Sequence, residues 1–483
     1  MNSQYDMIDI QTDSNTKDRR QGMFSTDKPI TDASEDKLGR SGFAERLAKA
    51  IINFDTADSY AIALQGSWGC GKTSVLNMAI QKIEETTDKK TVIIKFNPWN
   101  FTTTGQLIDQ FFATMSSKLK LSEGDERLQK VGGLIEKYSS VLEYTQYIPV
   151  VGPYLDVVKN LAKAAGKEIK ETADKKLHDA TIQKAKIEEA LKEIDFQILV
   201  VIDDIDRLPN DQIRLIFQLV NSVAGFPHMV YLLSYDKDIV ARALDDVQGY
   251  RGAEYLEKII QVPFDLPPID KYRVRSILKD ELEKIRNIPN SVEVDSAHWE
   301  QIFGYCIAPI VTSLRDVKRF CNVLSFSYAA VKPEVDFSDM AGITAIKVFA
   351  PTIYEWIYAN RMSLAGGYRG GAIALSGVKD YRAEMKRIAE RIYPDDPEYM
   401  LDALACLFPS FGNRITYASD FQTPAELHQA LRIASESKFD LYFSLSLENV
   451  KIPKIELDNS LLRMSICDLR EYVAKLKEHG DLY

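Results

Sequence analysis

Short apolar runs closed by polar or turn-forming residues recur through the first half of the chain: Tyr60–Leu64, Val92–Phe96, Ile198–Ile202, Met229–Leu233 and Ile259–Phe264. Runs of this length read as strands buried on both faces. Between them the apolar spacing lengthens to three and four, as in Thr73–Thr86 and Asn210–Val223, and predicts helices. Strands alternating with helices make a mostly parallel sheet covered on both sides. After Leu266 the strand pattern fades, and Lys271–Arg286, Val311–Ala329 and Asp380–Ile392 carry helical periodicity. The expected fold class is α/β, with a mainly helical C-terminal half.

Two stretches interrupt this pattern. From about Ser117 to Glu193 the chain reads as helix, and Leu161–Ile194 is rich in Lys, Glu and Ala, as a long solvated or coiled helix is. Arg361–Val378 holds Gly366, Gly367, Gly370, Gly371 and Gly377 and reads as a loop.

The strongest chemical signal follows the first strand. Gly66-Ser67-Trp68-Gly69-Cys70-Gly71-Lys72-Thr73 fits G-x-x-x-x-G-K-[ST], and Ser74 continues it into the predicted helix. Glycines are needed because the backbone must curl around a polyphosphate with its N–H groups pointing inward. Lys72 is expected to reach the phosphate oxygens and the Thr73 hydroxyl to reach Mg2+, while the helix directs its positive end at the anion. Trp68 reads as a packing residue at the loop's edge and Cys70 as a small residue within it. The fold class sharpens accordingly to a P-loop NTPase parallel sheet with a helical insertion.

Ile198–Ile202 runs into Asp203-Asp204-Ile205-Asp206-Arg207. A strand lying beside the loop strand carries its last acid to the metal, which assigns Asp203 to Mg2+. Asp204 stands where many ATPases hold a water-orienting glutamate. Asp206 is a catalytic candidate, or forms a local ion pair with Arg207. About 130 residues separate Lys72 from Asp203, whereas two β–α units need roughly 60; the helical stretch accounts for the excess. Ser234 and Asp236, after the Met229 run, are candidate γ-phosphate sensors. Arg315 and Arg319, four apart on one helical face, are expected to close over nucleotide. Arg251, placed ahead of the last strand, is a candidate arginine finger.

Composition narrows the classes. Of 483 residues, 45% are apolar and 27% charged, which excludes wholesale disorder and collagen-like repeats. A formal net charge of −10 leaves no protein-wide positive field to draw the chain onto nucleic acid. Five cysteines without a C-x-x-C pair read as reduced and cytoplasmic, and the dispersed histidines offer no zinc cluster. Met1–Gln21 reads as a polar tail with no leader character. Val141–Val158, interrupted by Glu143, Pro149, Pro153 and Asp156, is too broken for a membrane span.

Taken together, these segments resemble the KAP family of P-loop NTPases, related to AAA+-like and signal-transducing ATPases. The resemblance rests on Asp27-Lys28-Pro29-Ile30, Asp36-Lys37-Leu38-Gly39-Arg40, Trp68 with the loop through Thr73, Asn97-Pro98-Trp99, Asp203–Arg207, Tyr255–Gln261 and Arg315–Arg319. It implies binding of ATP or GTP with Mg2+, hydrolysis, homo-oligomeric assembly or switching, and a role in anti-phage defence with effector proteins from the same operon. Many relatives carry transmembrane helices in the insertion, and here that segment is polar. The expected domains are a tail (1–21), a nucleotide domain (22–266, insertion about 117–193), a helical lid (267–335) and a C-terminal helical domain (336–483). Two other functions stay open. One is a nucleic-acid motor, suggested by the lysines of 159–192 and the Gly-Tyr-Arg-Gly stretches at Gly249 and Gly367. The other is a scaffold that binds nucleotide without hydrolysing it.

Overall fold

The computed structural model describes residues 26–54, 59–86, 91–101, 103–122, 125–143, 167–223, 225–245, 251–287, 294–366, 375–416, 422–446 and 465–478. The tail at 1–21, most of 141–158 and most of the two Gly-Tyr-Arg-Gly stretches lie outside them. The chain divides into two units, residues 28–269 and residues 1–27 with 270–483.

In the first unit five strands, β1 (Tyr60–Gln65), β2 (Thr91–Phe96), β3 (Gln197–Ile202), β4 (Met229–Tyr235) and β5 (Val262–Asp265), form one sheet in the order β2-β3-β4-β1-β5. All four pairings are parallel. Every residue of β4 is buried, which suits a strand flanked on both edges and both faces. The edge strands β2 and β5 are only partly buried. The expectation that β3 lies beside β1 is therefore corrected: β4 lies between them. The final apolar run is also corrected. Tyr255, Leu256 and Ile259 bury one face of a helix ending at Ile259, and only Val262–Asp265 pairs with β1.

One face of the sheet packs Leu64, Val201 and Leu232 against α1 (Ser41–Asn53) and α2 (Lys72–Glu85). The other packs Ala63, Ile202 and Leu233 against α3 (Thr104–Lys120), α4 (Glu126–Glu143), α5 (Lys167–Lys192), α6 (Asn210–Gln218), α7 (Lys237–Leu244) and α8 (Gly252–Ile259). The inserted helices are thus not a solvated appendage. Ala180, Ile187, Ala190 and Leu191 of α5 recur at helical spacing and are buried with Val131 and Ile135 of α4 in the same core as the strands. Lysines on the outer faces are matched by acids, as in Lys120–Glu136 (2.5 Å) and Lys130–Glu193 (3.9 Å).

The register sets the functional edge. Ile202 pairs with Leu233, Leu64 with Ser234 and Gln65 with Tyr235. Asp203 and Ser234 therefore fall level with Leu64, two residues before Gly66, at the end of the sheet where the carboxyl ends of parallel strands present their loops.

The second unit is helical among the described residues, with α9 (Lys271–Arg286), α10 (Ser296–Ile302), α11 (Leu314–Val331) and α12 (Phe337–Phe349) at its start. Both ends of the predicted glycine loop are helical here, at Arg361–Leu364 and from Leu375 onward, and 367–374 lie outside the described residues. Asp339 is the unit's buried hub. Its carboxylate accepts from Arg432 Nε and Ile433 N–H, both at 2.8 Å, and lies 2.6 Å from His298 Nε2. Burial pushes this carboxyl up, but Arg432 and His298 outweigh it and hold it low. His298, Asp336 and Asp339 bring ligand-type atoms within 4.8 Å of one another. A guanidinium already neutralises the cluster, so it reads as an ion-pair network. Among the described residues no helix is long and apolar enough to cross a membrane. Asp339→Ala leaves Arg432 buried without its counter-charge and is expected to cost about 3–5 kcal/mol, measured as a lowered urea midpoint.

Candidate functional site

The phosphate loop follows β1, which lies between central β4 and edge strand β5. Gly66 N–H donates to Tyr235 O at 3.2 Å, and Leu266 N–H donates to Gln65 O at 2.8 Å. Gly69 and Gly71 hold φ of 79° and 94°, a region that strains any residue with a side chain. A Cβ on Gly66 would meet Cys70 Sγ at 2.7 Å. Gly71 is the N-cap of α2 and no side chain caps that helix, so its first-turn amides are available to an anion.

Arg40 fixes the loop. Only 7% exposed, it donates through Nη1 to Cys70 O and through Nη2 to Pro267 O at 2.7 Å. A carbonyl held by a buried guanidinium cannot turn freely, so the peptide planes around Cys70 are set. Lys72 Nζ lies 2.8 Å from Gly66 O, 3.3 Å from Ser67 O and 3.4 Å from Asp206 Oδ2. Thr73 is half-buried at the start of α2. Ser74 Oγ accepts from Ile30 N–H at 3.4 Å and Asn77 Nδ2 donates to Ile30 O, so Ser74 ties the leading segment to α2.

After β3 the backbone turns sharply. Asp203 Oδ1 accepts from Asp204 N–H at 2.9 Å, and Asp204 sits in the left-handed region at φ 59°, ψ 31°. A single 3-10 turn, Ile205–Arg207, follows. Positions three apart eclipse in such a turn, which brings Arg207 over Asp204 with Nε 2.8 Å from Oδ1. The expected Asp206–Arg207 pair is therefore replaced by two others: Arg207 takes Asp204 and buried Asp206 takes Lys72. Asn97, in the Asn97-Pro98-Trp99 segment after β2, also hydrogen-bonds Asp204. Burial, and after it the charge of Asp203, push the Asp204 carboxyl up against the pull of Arg207.

Trp68 is not packed into a core. Its ring is 53% exposed and lies 5.0 Å from the Arg207 guanidinium. Ser234 is wholly buried, and its Oγ has no hydrogen-bond partner, an arrangement that calls for a reason. Asp236 is instead the N-cap of α7, accepting from Asp238 N–H at 3.1 Å. Arg251 is exposed and precedes α8, not the last strand. Arg315 and Arg319 belong to the second unit, where Arg315 Nε meets Asp27 Oδ2 at 2.5 Å and Arg319 lies 5.7 Å from the Phe349 ring. Lys318 Nζ donates to Thr26 O beside them.

Sequence reasoning gave no role to Arg40, Asn97 or Arg207 as partners of the loop and of Asp204. The contacts of Arg40 with Cys70 and Pro267 and of Arg207 with Trp68 join segments far apart in the chain, and the Arg207–Asp204 pair depends on a 3-10 turn that spacing alone does not signal. The edge as built combines a glycine cradle, an ammonium, the oxygen donors Thr73 and Asp203, and an unsatisfied buried hydroxyl. That donor set suits a polyphosphate with a hard divalent cation.

The chain is similar to several known proteins. A 448-residue alignment with the phage T7 exclusion protein of Escherichia coli K12 is 25% identical, covering 87% of this chain; the chain spans 60% of that relative's length. Similar solved structures include Aeropyrum pernix ORC2 (TM-score 0.32, 15% identity, 76% of this chain and 77% of that one). Another is Cdc6p from Pyrobaculum aerophilum (TM-score 0.34, 14% identity, 88% and 89%). The KAP family P-loop domain matches residues 40–331. A match running from the arginine that pins the loop to the end of α11, over more than half of the chain, makes this protein a member of the KAP family of P-loop NTPases.

Proposed function

We infer that this protein is a Mg2+-dependent nucleotide switch that binds and hydrolyses ATP in preference to GTP and acts in phage exclusion. The observation that carries the reading is the pairing of Lys72 with Asp206 inside a loop shaped by Gly69 and Gly71, at the same strand edge as Asp203 and Asp204. The amides of residues 66–74 bind and orient the phosphates, and Lys72 exchanges its loop carbonyls for phosphate oxygens. Thr73 and Asp203 are the residues that would hold Mg2+, which would supply neutralisation of charge on those oxygens. Asp204 orients the attacking water, Asp206 holds Lys72 in place, and the Ser234 hydroxyl reads the terminal phosphate. Arg315 and Arg319 serve as second-unit sensors.

The phage T7 exclusion relative supports a defence role, with self-association and separate effector proteins completing the system. The acids interleaved among the lysines of 159–192 largely neutralise them and count against a nucleic-acid motor. The engagement of Asp204 by Arg207 favours, as a second reading, a scaffold that binds without turnover. Phosphate release decides between them: a wild-type rate well above that of Asp204→Asn supports the switch, whereas equal near-zero rates leave the scaffold.

Lys72→Ala removes a charge-assisted phosphate contact worth about 1.5–3 kcal/mol, so Kd for Mg-ATP in calorimetry should rise roughly 10- to 150-fold. Unchanged binding would count against the site. Arg40→Ala frees the Cys70 and Pro267 carbonyls and should weaken Mg-ATP binding in the same assay while lowering Tm, since the loop is then no longer set before the ligand arrives.

A further inference from the structure

The 3-10 turn Ile205–Arg207 grips the phosphate loop at two points. Asp206 reaches Lys72 at 3.4 Å, and Arg207 reaches Trp68 with its guanidinium 5.0 Å from the ring centroid. Arg207 also pairs with Asp204, Nε to Oδ1 at 2.8 Å. One guanidinium thus meets a carboxylate through Nε and lies over an indole ring. An ammonium cannot make both contacts, because it has neither plane nor fork.

We propose that Arg207 is the positioning residue for Asp204, aiming its carboxylate through the Nε contact and making that aim follow the phosphate loop through the cation–ring contact with Trp68. The proposal rests on the reading above that Asp204 orients water. Three features lead to it. Asp204 stands in a left-handed backbone conformation that its sequence neighbours do not share, so its side-chain direction is fixed locally. Arg207 N–H donates to Asp204 O at 3.2 Å, closing the turn that stacks one residue over the other. Trp68 projects from the tip of the loop, more than half exposed, with the guanidinium against its ring. The position of the Trp68 ring in the loop therefore sets the guanidinium, and the guanidinium sets the carboxylate.

The test uses the full chain with Arg207→Ala, Arg207→Lys, Trp68→Ala and the double variant Arg207→Ala/Trp68→Ala, and Asp204→Asn as reference. Without nucleotide, acrylamide quenching of the Trp68 fluorescence, isolated by difference from Trp68→Phe, should rise at least twofold in Arg207→Ala and in Arg207→Lys. Calorimetric Kd for Mg-ATP should stay within threefold of wild type in both Arg207 variants. Their kcat should fall at least tenfold with KM little changed, lysine giving no rescue. Trp68→Ala should lower kcat in the same direction, and the double variant should fall no further than Arg207→Ala. A wild-type kcat in Arg207→Lys would overturn the proposal by reducing the role to charge alone. Unchanged Trp68 quenching in Arg207→Ala would overturn the cation–ring link. If Asp204→Asn turns over like wild type, the underlying reading fails first, and the proposal falls with it for a separate and recognisable reason.

Discussion

The molecule's chemistry depends on a backbone constraint: a loop of eight residues must present N–H groups to an anion while its carbonyls point elsewhere. Gly69 and Gly71 meet the steric half of that demand with positive φ, where a Cβ would collide with the following peptide. Arg40 meets the electrostatic half by taking the Cys70 carbonyl and anchoring it to Pro267 after β5. Lys72, folded onto Gly66 O and Ser67 O, occupies two more of its carbonyls. The loop's shape is thus held by its own glycines and lysine and, from outside it, by Arg40 anchored to Pro267.

Sheet order then decides what meets the loop. Because β4 separates β1 from β3, the acids after β3 are one strand further from the loop than direct adjacency would put them. The 3-10 turn spans that distance. It sends Asp206 to Lys72 and Arg207 to Trp68, and leaves Asp203 and Asp204 at the strand end. The buried Ser234 residue lies on the intervening strand, level with Asp203 and with Leu64 just ahead of the loop. An added central strand thus brings a third polar group to the edge.

Much of this architecture is legible in the sequence because it depends on local pattern. Apolar runs such as Ile198–Ile202 can only be buried strands, and the glycine spacing of the loop has one physical use. Pairing is not local, so nothing in the runs themselves put β4 between β1 and β3. Ile259–Gln261 misled because an apolar helix end beside a short strand reads as one continuous run, and only the Tyr255, Leu256 and Ile259 face separates them. α5 looked solvated because its composition is charged, yet four small or apolar positions at helical spacing were enough to seat it in the core. At the site, Arg207 follows both Asp204 and Asp206 in sequence, and only the 3-10 geometry decides which one it takes.

That geometry also gives a reason for aspartate at 204. The backbone there is left-handed, and among residues with a Cβ aspartate and asparagine tolerate this best, because a short polar side chain can bond locally. Glutamate gains reach but loses that tolerance, and its extra methylene would push the carboxylate past Arg207 Nε, now 2.8 Å from Oδ1. Length, backbone conformation and arginine partner therefore form one consistent set. A longer acid at this position calls for a different turn and a different partner. The DDIDR sequence from Asp203 to Arg207 is best understood as a single folded unit, in which the spacing of Asp204 and Arg207 matters as much as the identity of either residue.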